Sequence, residues 1–162
     1  GMFDLGITYA LAGAAIAVFL SGIGSSIGLG IAGRTAAGVL SEKPERYGST
    51  TLLVVLPSTQ GIYGFVVALF VMLKLNIFGG GIEALTVAKG LEILAACLPV
   101  GVAGLFSGIH QGKTCAGGIL MTAKRPEMAV KAGLLYAAMI EFYAILGFLV
   151  SLLVIMLGIQ VG

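Results

Sequence analysis

Glu141 is the residue on which chemistry in this sequence must turn. It stands in Tyr136-Ala137-Ala138-Met139-Ile140-Glu141-Phe142-Tyr143-Ala144-Ile145-Leu146-Gly147, a run that carries no other charge. Such a run reads as a membrane span, and a charge at the centre of one costs about 2.5 to 3.5 kcal/mol on insertion scales. The carboxylate must therefore be neutralised by a proton, a metal cation or a basic partner. A permanently protonated acid making a structural hydrogen bond is the plainer alternative, but an acid inside a membrane is by default a functional group.

Other polar side chains fall at a matching depth. Counted from the nearest charged loop at 1.5 Å per residue, Gln60, Gln111 and Glu141 all lie about 20 Å in. Thr59 adds a hydroxyl next to Gln60, and Tyr63 lies one turn further along. Pro57 withholds a hydrogen bond from the carbonyl of Leu53 and kinks the segment, which frees carbonyls such as that of Leu56 to face a ligand. Oxygen donors with a single carboxylate suit a hard monovalent cation, and sodium is the natural candidate. Interhelical hydrogen bonding competes as an explanation for Gln60 or Gln111 alone; it weakens when all these groups share one layer. Pro99 reads as a kink only. His110 points about 100° away from Gln111 around the helix and reads as an interfacial or packing residue, while Lys113 snorkels toward the surface.

The elements that position these groups follow from composition. Hydrophobic residues make up 59% of the 162 and charged ones 10%, so most of the surface must meet lipid. The mean hydropathy of +1.11 says the same. Four uncharged or nearly uncharged runs each reach the ~20 residues that cross a bilayer core as a helix. Helices are expected at about Leu5 to Leu40, Gly48 to Leu75, Ala84 to Ala123 and Met128 to Ile159. The runs are continuously apolar, which excludes a membrane barrel, whose strands alternate. The net charge of +2 comes with no aromatic-basic patch, so nothing points to nucleic acid. The opening Gly1-Met2-Phe3-Asp4 has no basic region before the first apolar run, and a cleaved signal peptide is not expected. Cys97 and Cys115, 18 positions apart on one helix, are about 27 Å from each other and cannot form a disulfide.

The fold class is thus all-α, an integral membrane protein of four helices. Seven of the nine basic residues collect at the loop end that holds Lys43 and Arg125, which makes that end cytoplasmic and leaves both termini outside. The chain also repeats itself. Ser21-Gly22-Ile23 returns as Ser107-Gly108-Ile109, Lys43-Pro44-Glu45 as Arg125-Pro126-Glu127, and Gly64-Phe65 as Gly147-Phe148, at offsets of 86, 82 and 83. Two tandem hairpins result, residues 1–80 and 81–162, and they run parallel to each other. The repeat-mate of Glu141 is Ser58, so there is one ionisable site per chain. Glycines crowd the first and third helices, where small residues four apart let backbones approach closely. Gly28-Leu29-Gly30-Ile31-Ala32-Gly33 fits the dinucleotide-loop string, yet it follows no strand and lies inside a span, so packing is its role.

Over essentially its whole length the sequence resembles the four-helix proteolipid of V-type ATPases, the K or c subunit of the membrane rotor ring. The resemblance is strongest in Leu56-Pro57-Ser58-Thr59-Gln60-Gly61-Ile62-Tyr63-Gly64-Phe65, in Gly104-Leu105-Phe106-Ser107-Gly108-Ile109-His110-Gln111-Gly112-Lys113 and around Glu141. These segments look like the sodium-transporting bacterial branch of that family. The resemblance implies Na+ held by the carbonyl of Leu56, the hydroxyl of Thr59 and the side-chain oxygens of Gln60, Gln111 and Glu141, with Tyr63 bonded to the Glu141 carboxylate. Phe142 departs from some sodium-binding relatives, which have a hydroxyl there. The resemblance further implies identical copies in a ring, a stator subunit with an essential arginine, central-stalk subunits, surrounding lipid, ATP hydrolysed on other chains and no organic cofactor. A proton-carrying ring of the same family is one alternative, and a small secondary transporter or pore is another.

Overall fold

A computed structural model describes residues 4–82 and 84–161; the opening Gly1-Met2-Phe3, Glu83 and Gly162 lie outside the described residues. Four helices carry the chain: α1 (Leu5–Glu42), α2 (Pro44–Lys74), α3 (Val87–Thr122) and α4 (Pro126–Gly158). All four are long and apolar enough to cross a membrane. Among the described residues there is no strand. The expected boundaries therefore hold to within four residues, the largest difference being the start of α2 at Pro44 instead of Gly48.

Local chemistry sets the ends. Asp4 caps α1, its carboxylate accepting from the Ile7 N–H at 2.8 Å, and Thr86 caps α3 through Lys89 N–H at 3.2 Å. Proline opens α2 at Pro44 and α4 at Pro126, where its missing N–H is no loss. Asn76, at φ 53°, and Gly80, at φ 99°, turn the chain out of α2 in the left-handed region, which asparagine and glycine tolerate best.

Two of the helices are irregular. In α2 the ladder tightens to a 3-10 turn at Leu56–Ser58, where Pro57 lacks an N–H. In α4 it widens to i→i+5 turns at Ala129–Leu134 and Val154–Gly158. Serines on the opposite helix of the same hairpin take up backbone donors near Pro57 and Pro99. Gly61 N–H donates to Ser25 Oγ at 2.8 Å, and Val100 N–H donates to Ser151 Oγ at 3.0 Å.

The helices pack as two parallel hairpins, with α1 against α3 at the centre. Glycine makes this contact possible. A Cβ at Gly24 would strike the carbonyl oxygen of Gly104, one at Gly28 that of Gly108, and one at Gly112 the Gly28 backbone. Backbones this close gain dispersion contacts and exclude lipid, which is the main attraction available between helices in a bilayer. The contacting pairs Gly6–Gly90, Gly24–Gly104 and Gly28–Gly112 are separated by 80 to 84 residues. Equal depth in the two hairpins thus corresponds to an offset near 82 throughout. The offset of 86 drawn from Ser21-Gly22-Ile23 is one helical turn too long, because short glycine motifs recur every turn and align equally well when slipped by four. Cys97 and Cys115 are both buried free thiols, as their separation requires.

Two polar ties close the ends. Lys43, in the α1–α2 loop, donates to the carbonyl of Ala123 just past α3 at 2.6 Å, a cation on a helix C-terminus. At the other end the second carboxylate oxygen of Asp4 accepts from Leu85 N–H at 2.9 Å, binding the start of α1 to the approach to α3. The hydrogen bond from Ile7, then that from Leu85, holds the Asp4 carboxyl below its usual range. A group depressed in the folded state adds stability above its unfolded pKa and loses it as pH falls through the folded value. Detergent-solubilised wild type should therefore melt above Asp4→Asn at neutral pH, and the gap should close on acidification below the ordinary carboxylate range. A gap that persists there would refute the charge-based tie.

Candidate ion-binding site

The tight turn in α2 fixes the first half of the site. It leaves Thr59 one turn beyond Leu56, with its hydroxyl 3.2 Å from the carbonyl oxygen of Leu56 and 3.3 Å from Oε1 of Gln60. Gln60 is fully buried between the hairpins, and Tyr63 is partly buried one turn on. From the second hairpin α3 brings Gln111, also fully buried, and α4 brings Glu141, which is partly exposed on the outer side.

Glu141 joins the halves. Its Oε1 and Oε2 lie 2.6 and 2.8 Å from the Thr59 hydroxyl. Tyr63 donates to Oε2 at 2.6 Å, and Gln111 Nε2 donates to Oε1 at 3.0 Å. Tyr63 is itself held by Phe148, whose ring stacks on it at 4.9 Å with 14° between planes.

The glutamines form a chain behind the carboxylate. Gln60 Nε2 donates to Gln111 Oε1 at 2.9 Å, and Gln111 Nε2 is shared between Glu141 and the carbonyl of Ala137, at 3.0 Å each. Gln60 thus turns its oxygen toward Thr59, whereas Gln111 turns its nitrogen, not its oxygen, toward Glu141. The amide assignments follow from this network: Ala137 needs a donor, and the Gln60 nitrogen needs an acceptor.

All six residues singled out from the sequence, Leu56, Thr59, Gln60, Tyr63, Gln111 and Glu141, therefore meet in one layer. Three contributors were not foreseen. The Ala137 carbonyl lies one turn before Glu141, and Phe148 lies two turns beyond it on the same face. Ser25 steadies Gly61 beside Gln60. The helical period around Glu141 could have pointed to Ala137 and Phe148, but nothing in the sequence singled out Ser25. Phe142 faces away, 53% exposed and edge-on to Tyr143, and His110 and Lys113 are exposed outside the layer.

The electrostatics of the cluster are unusual. The Thr59 hydroxyl holds one proton, yet four acceptor oxygens lie within 3.3 Å of it: Leu56 O, Gln60 Oε1 and both oxygens of Glu141. One proton can serve one of them at a time, and the other oxygen pairs repel unless a positive charge sits among them. Among the described residues no three His, Cys, Asp or Glu side chains come together. The site therefore offers one carboxyl group and neutral oxygens, a set matched to a single positive charge.

The pattern of the ATP synthase C subunit family matches residues 12–71 and again residues 94–154, once on each hairpin. The chain is 44% identical over 151 residues to the V-type sodium ATPase K subunit of Enterococcus hirae, covering 93% of this chain and 92% of that one. It is 40% identical over 149 residues to the A-type ATP synthase K subunit of Methanocaldococcus jannaschii, covering 92% of this chain and 64% of that one. It is 28% identical over 145 residues to the 16 kDa c proteolipid of the human V-type proton ATPase, covering 90% and 89%.

The chain belongs to the ATP synthase C subunit family. Within it, the duplicated hairpin and the likeness to the K and c proteolipids make it a rotor proteolipid of a V-type ATPase.

The geometry of Tyr63 carries a direct consequence. A hydrogen bond to a charged group contributes about 1.5 to 3 kcal/mol, roughly tenfold or more in an equilibrium. Tyr63→Phe should therefore raise the rate at which a carbodiimide modifies Glu141 by about tenfold or more, because the carboxyl is less tightly held. An unchanged rate would show that this bond does not govern access.

Proposed function

We propose that this chain carries Na+ across the membrane as the rotor-ring proteolipid of a V-type sodium ATPase. Na+ is the cargo, held by the carbonyl of Leu56, the hydroxyl of Thr59 and the side-chain oxygens of Gln60 and Glu141. Gln111 adds its oxygen when its amide turns over, giving up its bonds to Gln60, Ala137 and Glu141 for one to the ion. Tyr63 locks the carboxylate. The observation that carries this reading is the excess of oxygen acceptors over protons around Thr59. A proton alone would neutralise Glu141 without any need for Leu56, Thr59 and Gln60 to converge. The likeness to the sodium-named relative supports it, and the weaker likeness to the proton-named one weighs less.

In this reading each Glu141 passes through lipid with its charge cancelled, which avoids the cost of a bare carboxylate in hydrocarbon. At a stator subunit bearing an essential arginine the ion is exchanged. Rotation is driven through central-stalk subunits by ATP hydrolysis on other chains; this one contributes no catalytic residue and no organic cofactor. Moving each ion costs about 2.3 kcal/mol per 100 mV. The basic loops between α1 and α2 and between α3 and α4 face the cytoplasm, with both termini outside, by the positive-inside rule. Residues 1–80 and 81–162 act as two hairpin units, of which only the second has the carboxylate.

Two measurements test this. Carbodiimide labelling of Glu141 in the assembled ATPase should slow as Na+ is added at fixed pH; labelling indifferent to Na+ at every pH would mean a proton ring. Glu141→Gln should abolish ATP-driven Na+ uptake into vesicles while rings still assemble, and full uptake by that variant would overturn the assignment.

A further inference from the structure

Three of the neutral oxygens proposed for the site, those of Leu56, Thr59 and Gln60, stand on one short stretch of α2, and that stretch changes ladder in its middle. The 3-10 turn at Leu56–Ser58 gives way to α-helix only at Thr59. A 3-10 turn rises about 2.0 Å per residue and an α-helix about 1.5 Å, so a backbone passing from one to the other has no fixed pitch of its own. Something outside α2 must decide where these oxygens come to rest.

The facing side of α1 holds both ends of the stretch. A Cβ at Gly28 would stand 3.0 Å from Cβ of Pro57, so bare glycine lets the proline ring lie against α1. One turn earlier on α1, Ser25 Oγ accepts from the N–H of Gly61 at 2.8 Å. Ser25 is buried. A Cβ at Gly61 would come within 3.3 Å of that same oxygen, so glycine also keeps the two helices close enough for the bond. Behind them α1 is seated on α3 through Gly24 and Gly28. The glycine contact at the centre of the molecule is thereby transmitted through one hydroxyl to the residue next to Gln60.

The second hairpin shows what this bond depends on. The repeat-mate of Ser25 is Ser107, 82 positions on. It borders the groove between α3 and α4 with Ile140 and Tyr143. Its hydroxyl is buried and, among the described residues, has no hydrogen-bond partner. At the offset of 83 that relates Gly64 to Gly147, Ile140 takes the place of Pro57. The outer helix is regular there, from Leu135 to Leu153, so its N–H groups are taken up within α4. The same serine thus finds a backbone donor only where a proline has interrupted the ladder. That is the hairpin whose outer helix bears Thr59 and Gln60.

We infer that Ser25, whose one hydrogen bond is to Gly61, is a positioning residue for the cation: by holding Gly61 it fixes the spacing of Leu56 O, Thr59 Oγ1 and Gln60 Oε1. The inference rests on the Na+ reading above. Cation binding follows the size and rigidity of the donor cage. Without the Ser25 hydroxyl, the N–H of Gly61 turns to the carbonyl of Pro57 four residues back. The 3-10 turn then relaxes toward α-helix, and the three oxygens move off their common centre. Tyr63 and Gln111 still hold the Glu141 carboxylate, because neither bond passes through Gly61.

The test uses the whole ATPase in membranes, with Na+ as the probe. In Ser25→Ala the Na+ concentration that half-protects Glu141 from a carbodiimide should rise about three- to tenfold, the worth of one hydrogen bond in an equilibrium. The KM for Na+ in ATP-driven uptake should rise by the same factor with the maximal rate kept. The midpoint of the pH dependence of labelling without Na+ should not move. Ser107→Ala removes the same atom at the same depth, where it bonds to nothing, and should match wild type in all three. Equal protection by Na+ in Ser25→Ala and wild type would overturn the inference, and so would an equal shift in Ser107→Ala. If Ser25→Ala does not assemble, Ser25→Cys decides, since its thiol is a weaker acceptor. It should show a smaller shift of the same kind, and protection identical to wild type would again overturn the inference. Wild-type labelling that ignores Na+ would reject the ion and this inference together, a failure visible before any substitution is made.

Discussion

A single carboxylate placed where water is scarce constrains everything else in this protein. Lipid cannot solvate it, so it must be met by hydrogen-bond donors drawn from three other helical positions and its charge cancelled by a proton or another cation. Thr59, Tyr63 and Gln111 all touch Glu141 directly. Those contacts require α2, α3 and α4 to converge within hydrogen-bonding distance at one depth. The convergence in turn requires a rigid centre, which the close glycine contact of α1 with α3 supplies. Each layer of the fold thus answers to the layer inside it: glycine sets helix spacing, helix spacing sets the glutamine chain, and the glutamine chain sets the carboxylate.

Much of this was legible in the sequence, because lipid simplifies the problem. Continuous apolar runs leave helix as the main option, and counting residues from charged loops gives depth to within a turn. That was enough to bring Gln60, Gln111 and Glu141 to one depth, with Thr59 beside Gln60; the carbonyl of Leu56 came in through the kink at Pro57, and its part as a ligand, like the bond from Tyr63, through the resemblance. Rotational and fine axial detail was harder to read. The orientation of the Gln111 amide depends on Ala137 and Gln60 competing for its two ends, and no spacing encodes that outcome. The repeat offset in α1 and α3 slipped by one turn because small residues recur with the helix and a slip of four preserves the pattern. The tie of Asp4 to Leu85 joins positions 81 apart, and only the packed hairpins bring them together.

The two hairpins show what a duplication keeps and what it lets drift. Each has a proline within a helix and a serine on the neighbouring helix that accepts a backbone N–H, Ser25 for Gly61 and Ser151 for Val100, but at positions that the repeat does not equate. In the first hairpin the proline stands on the outer helix, where its tight turn shapes Thr59; in the second it stands on the inner helix and shapes no polar cluster. The backbone frame has been preserved while the chemistry has been concentrated on one side.

That concentration alters the leverage of the machine. With serine at position 58, four helices carry one exchangeable charge where two unduplicated hairpins could have carried two. A wheel of given girth then moves fewer ions per revolution, and the work released in one revolution is divided among fewer of them. Each can be pushed against a steeper gradient, at the expense of throughput, so the loss of one acid shifts the rotor toward a lower gear.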